Sequence, residues 1–173
     1  MYPGDRTQMK SVELSYEWSP QDGRQSCPAS DICRGVGRLL SGLGLASVAE
    51  LALPNGRRAD VVALGAGGEV WIIEIKSSVE DLRSDRKWPE YRDYCDRLYF
   101  AVALAFKVEL LPADTGIILA DRYGGEIARP APETRMQPAR RRTMLLRFAR
   151  TAAARLQALS DPGAAVEAII TPD

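Results

Sequence analysis

Three charged residues in two apolar segments are the side chains of this sequence best suited to chemistry. Asp60 lies in "ADVVAL", and Glu74 and Lys76 close "EVWIIEIK". Burying a charge without a partner is costly, so charged groups in apolar segments need a reason. Two acids and a lysine are groups that metal-assisted hydrolysis of a phosphodiester uses.

The predicted strands decide whether these side chains can meet. Alternation along the second segment puts Glu74 and Lys76 on one face, about 6.5 to 7 Å apart. A hairpin turn over residues 65–68 places Asp60 opposite residue 73 or residue 74, depending on whether four or five residues close the loop. The five-residue closure faces Asp60 with Glu74, with their Cβ atoms about 4.5 to 5.5 Å apart.

Carboxylates so close repel each other unless a cation lies between them. Asp60, Glu74, the backbone carbonyl of Ile75 and waters form an oxygen donor set that suits Mg²⁺ or Mn²⁺. Lys76 would orient or deprotonate a metal-bound water and stabilise the transition state. A salt-bridged pair at the solvent margin of the sheet explains the same residues, and the pattern alone favours neither reading.

Composition excludes several other kinds of site. The 173 residues contain no histidine, so a Ser-His-Asp triad, a Cys-His pair and a histidine-ligated zinc are excluded. Cys27, Cys33 and Cys95 are odd in number and lack C-x-x-C spacing, which predicts reduced thiols. The lack of a long apolar run or a secretory signal predicts a cytoplasmic protein that does not enter the membrane.

Charge balance limits how the chain could bind nucleic acid. Lys and Arg number 23, as do Asp and Glu, and the pI is near 6.4. No global basic field is present, so DNA binding would need a local patch.

The chain divides into a loosely ordered N-terminal arm (1–28), one domain (29–160) and a C-terminal tail (161–173). A core-facing helix with an apolar stripe from Ile32 to Leu43 is predicted after a cap at Ser30 or Asp31, ending near Gly42 or Gly44. Three strands then form an antiparallel meander. A helical segment, capped by Ser78 with Asp81 and interrupted near Pro89, crosses to two further strands and a short edge piece. An arginine-rich amphipathic helix over about 137–159, with an apolar stripe from Met144 to Leu156 and Leu159, completes the domain.

The block "RRADVVALGAGGEVWIIEIKSSVEDLRSDRKWPEYRDYCDRLYFAV", with "DTGIILADRYGGEI" and "RRTMLLRFAR", resembles the MmcB family of bacterial DNA repair proteins. Asp60 followed by Glu74-Ile75-Lys76 resembles the motif of the PD-(D/E)xK nuclease superfamily. Ala59 stands where that motif has proline, which lowers its specificity without arguing against catalysis.

The resemblance implies a restriction-endonuclease-like α/β fold, with a mixed β-sheet core flanked by helices. It implies a metal-dependent nuclease acting on DNA in repair, with Asp60 and Glu74 as metal ligands and Lys76 as the catalytic lysine. Glu50 fits a further acidic position before the motif, although a strand-margin salt bridge explains it almost as well. The alternative function is a non-cleaving module that binds DNA or other repair proteins, and an RNA substrate is a weaker third reading.

Basic residues outside the motif are candidate substrate contacts. Lys87 and Arg97 follow the motif and could contact phosphates. Arg140, Arg141 and Arg142 either contact phosphates or form a solvated face of the C-terminal helix. The aromatic residues Trp88 and Tyr91 either pack on a nucleotide or form a core-facing pair.

Overall fold

The computed structural model describes residues 27–162, and the predicted arm and tail lie almost entirely outside this range. Its helices and strands follow one another in an order that matches the predicted one. In chain order they are α1 Cys27–Gly42, β1 Ala46–Ala52, β2 Arg58–Leu64, β3 Val70–Lys76, α2 Val79–Ser84, a 3₁₀ helix Trp88–Tyr94, β4 Arg97–Val102, a 3₁₀ turn Val108–Leu110, β5 Gly116–Ala120, β6 Gly125–Arg129 and α3 Pro138–Ser160.

The six strands form one mixed sheet in the order β1-β2-β3-β4-β5-β6. β1, β2 and β3 pair antiparallel, which confirms the predicted meander. α2 and the 3₁₀ helix carry the chain from β3 to β4, and β3, β4 and β5 are parallel. β6 pairs antiparallel with β5 at the far edge. This mixed sheet, flanked by helices, is consistent with a restriction-endonuclease-like fold.

α1 begins earlier than predicted. It starts at Cys27, so Ser30 and Asp31 lie inside the helix and the predicted cap is wrong. Pro28 fits the first turn because its fixed φ suits a helix and the missing N–H has no partner to lose there.

The buried side of α1 contacts one face of the sheet. Ile32, Val36 and Leu40 are buried there with Ile73 and other side chains of β2 to β5. Leu43, predicted on the same stripe, is exposed because the helix ends at Gly42.

α3 and the 3₁₀ helix cover the other face. Met144 and Phe148 are buried there with Tyr91, so Tyr91 belongs to the core. The predicted apolar stripe of α3 is only partly right, because Leu156 and Leu159 are 64% and 61% exposed. Ala154 is the last buried residue along α3. None of the helices within residues 27–162 has the length and apolar character needed to cross a bilayer.

A buried ion pair anchors the start of α3 to the amino ends of β3 and β4. Asp96 is 5% exposed and receives two hydrogen bonds from Arg141, of 2.7 and 2.6 Å. The same carboxylate accepts the backbone N–H groups of Val70 and Met136. Arg141 also donates to the carbonyl of Gly68 in the β2–β3 turn, so one side chain ties helix, hairpin and sheet together.

Arg141→Ala should lower the free energy of unfolding by about 3 kcal/mol, because it leaves a buried carboxylate without its cation. Burial raises the pKa of Asp96, but the bonds from Arg141 and the two N–H groups outweigh burial and lower it. The contribution of Asp96 is therefore present above its unfolded pKa near 3.8 and is lost as pH falls through the lower folded value. Urea unfolding at pH 7 and at pH 3 measures both effects. Arg142→Ala, one residue away and exposed, should change stability by less than about 0.5 kcal/mol.

Candidate functional site

The β2–β3 hairpin closes with five residues between its last paired strand positions. Leu64 pairs with Val70 and Val61 with Ile73, so residues 65–69 form the loop. One step beyond the Val61–Ile73 pair, the register sets Asp60 opposite Glu74. Of the two predicted loop closures, the structure therefore has the five-residue closure, which brings the two acids together.

The regular strand pairing ends there, and side chains accept the next hydrogen bonds between the two strands. The N–H of Ile75 donates to the Asp60 carboxylate at 2.8 Å, and the N–H of Asp60 donates to the Glu74 carboxylate at 3.3 Å. Each acid therefore accepts a backbone N–H of the neighbouring strand. Both carboxylates lie at the junction between β2 and β3, rather than on opposite sides of the sheet.

Glu74 is buried beside a second acid. It is 3% exposed, and burial followed by the charge of Asp60 raises its pKa to about 9. Burial also raises the pKa of Asp60, against the opposing effect of the Ile75 N–H. The charge of Asp60 therefore adds to burial in opposing the ionisation of Glu74.

Lys76 lies among three acids. Its Nζ is 2.6 Å from the carboxylate of Asp85, 3.9 Å from Glu74 and 3.8 Å from Asp81. Burial lowers the pKa of Lys76, but these acids, Asp85 foremost, raise it above its ordinary value. The side chain is therefore a buried ammonium at neutral pH, suited to stabilising negative charge.

Asp85 and Asp81 were missed as members of this cluster. Asp81 was predicted only as the partner of the Ser78 cap, which the structure confirms: its N–H donates to Ser78 Oγ at 3.1 Å. Asp85 terminates α2 and turns its carboxylate back to Lys76. The available signal was the spacing of an acid nine residues after the lysine across a short capped helix.

Glu50 lies on β1, beside Asp60 in the sheet. The pairs Ala49–Val61 and Leu51–Ala59 bracket it, so the register sets Glu50 opposite Asp60 on β1. Its φ of 51° is a strained, left-handed conformation, and its carboxylate lies 3.8 Å from Arg58. Within residues 27–162, no group of three or more acidic or cysteine side chains is arranged to hold a metal ion. Glu50 as a metal ligand therefore stays a prediction.

The donor set at the strand junction fits a hard divalent cation. Asp60 and Glu74 supply carboxylate oxygens that converge. Lys76 does not neutralise these two acids alone, because it also donates a hydrogen bond to Asp85. The N–H and C=O of one strand residue face the same neighbour, so the carbonyl of Ile75 faces β2 as its N–H does. Two acids and a carbonyl, completed by water, are ligands that Mg²⁺ and Mn²⁺ accept.

Of the predicted substrate contacts, Lys87 is the nearest to this junction and Arg97 is distant. Lys87 is exposed, and its backbone N–H donates to Asp85 at 2.8 Å. Arg97 lies opposite Trp71 at the start of β4 and forms an ion pair with Glu133 at 2.6 Å.

The three arginines at the start of α3 are also remote from the acids. Arg141 forms the Asp96 ion pair, and Arg140 pairs with Asp93 at 2.9 Å. Arg142 lines a groove of about 520 Å³ with Leu145 and Leu146. The six residue steps from Val70, beside this region, to Lys76 span about 20 Å.

Comparison with known proteins places the chain in a family. The sequence model of the MmcB-like family of DNA repair proteins matches residues 17–163. The chain belongs to the MmcB-like family. It is also similar to a solved protein of unknown function from Silicibacter pomeroyi. The two are 47% identical, the match covers 80% of this chain and 94% of that one, and the TM-score is 0.77. No curated protein matches the sequence.

The family supports a role in DNA repair and leaves the chemistry to be argued from the junction of β2 and β3. The sequence expectation of an MmcB-like chain with a mixed α/β fold is confirmed. The roles of Asp60, Glu74 and Lys76 stay predictions.

Glu74→Gln should change the pH dependence of stability in metal-free buffer. Glu74 has a folded pKa of about 9 against an ordinary value of 4.5, so the folded state holds an extra proton between them. Wild-type stability is therefore full below pH 4.5 and falls as pH rises towards 9, by at most about 1.4 kcal/mol per pH unit from this group. Gln keeps the acceptor for the Asp60 N–H and cannot ionise.

Urea denaturation at intervals from pH 5 to pH 9 measures this slope, which should be shallower in Glu74→Gln. Glu80→Gln is the matched control, since Glu80 is an exposed acid on α2. It should keep the wild-type slope. An unchanged slope in Glu74→Gln would mean that Glu74 ionises normally in the folded protein.

Proposed function

We propose that this protein is a metal-dependent nuclease of the PD-(D/E)xK type that hydrolyses DNA phosphodiester bonds in DNA repair. The observation that carries the proposal is the convergence of Asp60 and Glu74 at the β2–β3 junction, with the buried ammonium of Lys76 beside them. Membership of a DNA repair family supports DNA as the substrate.

The three side chains have distinct roles in this proposal. Asp60 and Glu74, with the carbonyl of Ile75, would hold Mg²⁺ or Mn²⁺. A bound divalent ion of this kind lowers the pKa of its water and offsets charge on the phosphate. Lys76 provides a fixed positive charge for the negative charge that develops on the phosphoryl oxygens.

The buried position of these groups supports catalysis over a simple salt bridge. A pair at the solvent margin would expose its charges, whereas Glu74 and Lys76 are 3% and 5% exposed. Acids placed together in this way destabilise the fold unless protonated or bound to a cation. Such an arrangement is typical of functional sites, where perturbed ionisation serves chemistry.

One observation favours a second function, a non-cleaving module that binds DNA or other repair proteins. Lys76 forms its shortest contact with Asp85, at 2.6 Å, and lies 3.9 Å from Glu74. An ammonium held by Asp85 could serve structure alone. Metal binding separates the two functions, because a binding module does not need a cation between its acids.

Asp60→Asn and Glu74→Gln should each abolish metal-dependent cleavage, with a loss of at least about 100-fold in rate. These substitutions keep the acceptors for the Ile75 and Asp60 N–H groups, so the hairpin keeps its hydrogen bonds. Alanine would remove those acceptors and confuse loss of chemistry with loss of fold. The assay is digestion of single-stranded, duplex, nicked and branched DNA with Mg²⁺ or Mn²⁺.

Calorimetric titration with Mn²⁺ gives a readout that does not depend on the substrate. Wild type and the control Glu80→Gln should bind the ion, and Asp60→Asn should not. Metal binding that persists in Asp60→Asn, or wild-type protein that leaves all four DNA forms uncut, would count against the nuclease.

A further inference from the structure

The last turn of α2 and the residues that follow it carry a group of cations beside the acidic junction. Arg83, Arg86 and Lys87 are all exposed, and they flank Asp85 on both sides. Each lies within two residues of Asp85, which brings its Cα to within about 7 Å of that of Asp85. The segment 83–87 is called the basic loop below.

The basic loop is attached to the site by one side chain. Asp85 accepts a hydrogen bond from Lys76 Nζ through one carboxylate oxygen, at 2.6 Å. Its other oxygen accepts the backbone N–H of Lys87, at 2.8 Å. The loop backbone is therefore held next to Lys76 by these two hydrogen bonds. The three exposed cations lie on this held segment.

These three cations differ from several other basic residues of the described chain. Arg57, Arg92, Arg97 and Arg140 each form an ion pair with an acid at 2.9 Å or less. Arg83, Arg86 and Lys87 form no ion pair with any residue in the range 27–162. Unpaired cations are those that exchange counterions for phosphates on binding.

The acids of the junction make such cations necessary. Lys76 is already shared among Glu74, Asp81 and Asp85, so its charge is not available to the phosphates that flank the reacting bond. Phosphates on either side of the reacting bond therefore need positive charge from outside the acid cluster. The basic loop supplies it from the residues adjacent to Lys76.

We propose that Arg83, Arg86 and Lys87 form the phosphate-binding surface that holds the DNA backbone across the β2–β3 junction. This inference rests on the proposed DNA substrate and names the segment of the chain that binds the DNA backbone. It assigns DNA contact to the basic loop rather than to the arginines at the start of α3, which lie at the other end of the strands.

Two matched double variants test the assignment. Arg83→Gln/Arg86→Gln removes two charges from the basic loop. Arg135→Gln/Arg142→Gln removes two exposed arginines that line the groove at the start of α3. All four residues are exposed, so both variants should melt within a few degrees of wild type by circular dichroism.

Fluorescence anisotropy with a labelled DNA duplex gives the readout, first with EDTA and then with Ca²⁺, over a series of salt concentrations. The loop variant should bind about tenfold more weakly near 0.1 M salt, and its log–log salt slope should be smaller by about 2. The α3 variant should keep the wild-type affinity within about twofold. Equal weakening of both variants, greater weakening of the α3 variant, or no wild-type binding with either EDTA or Ca²⁺ overturns the proposal.

Cleavage assays separate this inference from the proposed function. DNA that binds through the basic loop but stays uncut with Mg²⁺ or Mn²⁺ supports the surface and refutes the nuclease. DNA that wild type and the loop variant bind and cut equally well supports the nuclease and refutes the surface.

Discussion

The end of regular pairing between β2 and β3 is the constraint on which the site depends. Two strands that separate leave backbone N–H groups without strand partners, and unsatisfied buried groups are costly. The carboxylates of Asp60 and Glu74 accept two of these groups. The backbone bonds that preserve the hairpin are thus the same bonds that hold two acids face to face. Their mutual repulsion is a consequence of the fold, and neither side chain can turn away without exposing a donor.

The two ends of β3 serve different purposes. At the amino end, Asp96 and Arg141 join the β2–β3 turn, β4 and α3 through a network in which each carboxylate oxygen has donors. At the carboxyl end, Lys76 is shared among Glu74, Asp81 and Asp85, and burial raises the pKa of both Glu74 and Asp60. The amino end contributes rigidity, and the carboxyl end holds acids whose ionisation is unfavourable where they are buried. A rigid strand between them keeps the acids in place despite their repulsion.

Local pattern predicted the elements and narrowed the residue opposite Asp60 to 73 or 74, because strand alternation and a glycine-rich turn limit which side chains can face each other. The length of the loop, which decides for Glu74, came only from the structure. It could not predict Asp85, whose bond to Lys76 depends on where α2 ends and how the chain returns. It also misjudged Leu156 and Leu159, because helical periodicity continues regardless of whether the sheet extends far enough to cover the helix. Arg141 was predicted as a phosphate contact from its neighbours in sequence, whereas its partner Asp96 is 45 residues away. Long-range pairing of charges is the information that spacing does not contain.

The outer edge of β1 shows a further use of the basic helix. Arg155 donates to the carbonyl oxygens of Ala49 and Glu50, and Arg147 donates to that of Ala52. These carbonyls belong to an edge strand, the kind of surface on which another chain can add a strand and begin to aggregate. Guanidinium groups that occupy them block that addition and place positive charge along the border. Part of the arginine content of α3 is therefore used in hydrogen bonds to β1, which a count of basic residues would mistake for affinity towards nucleic acid.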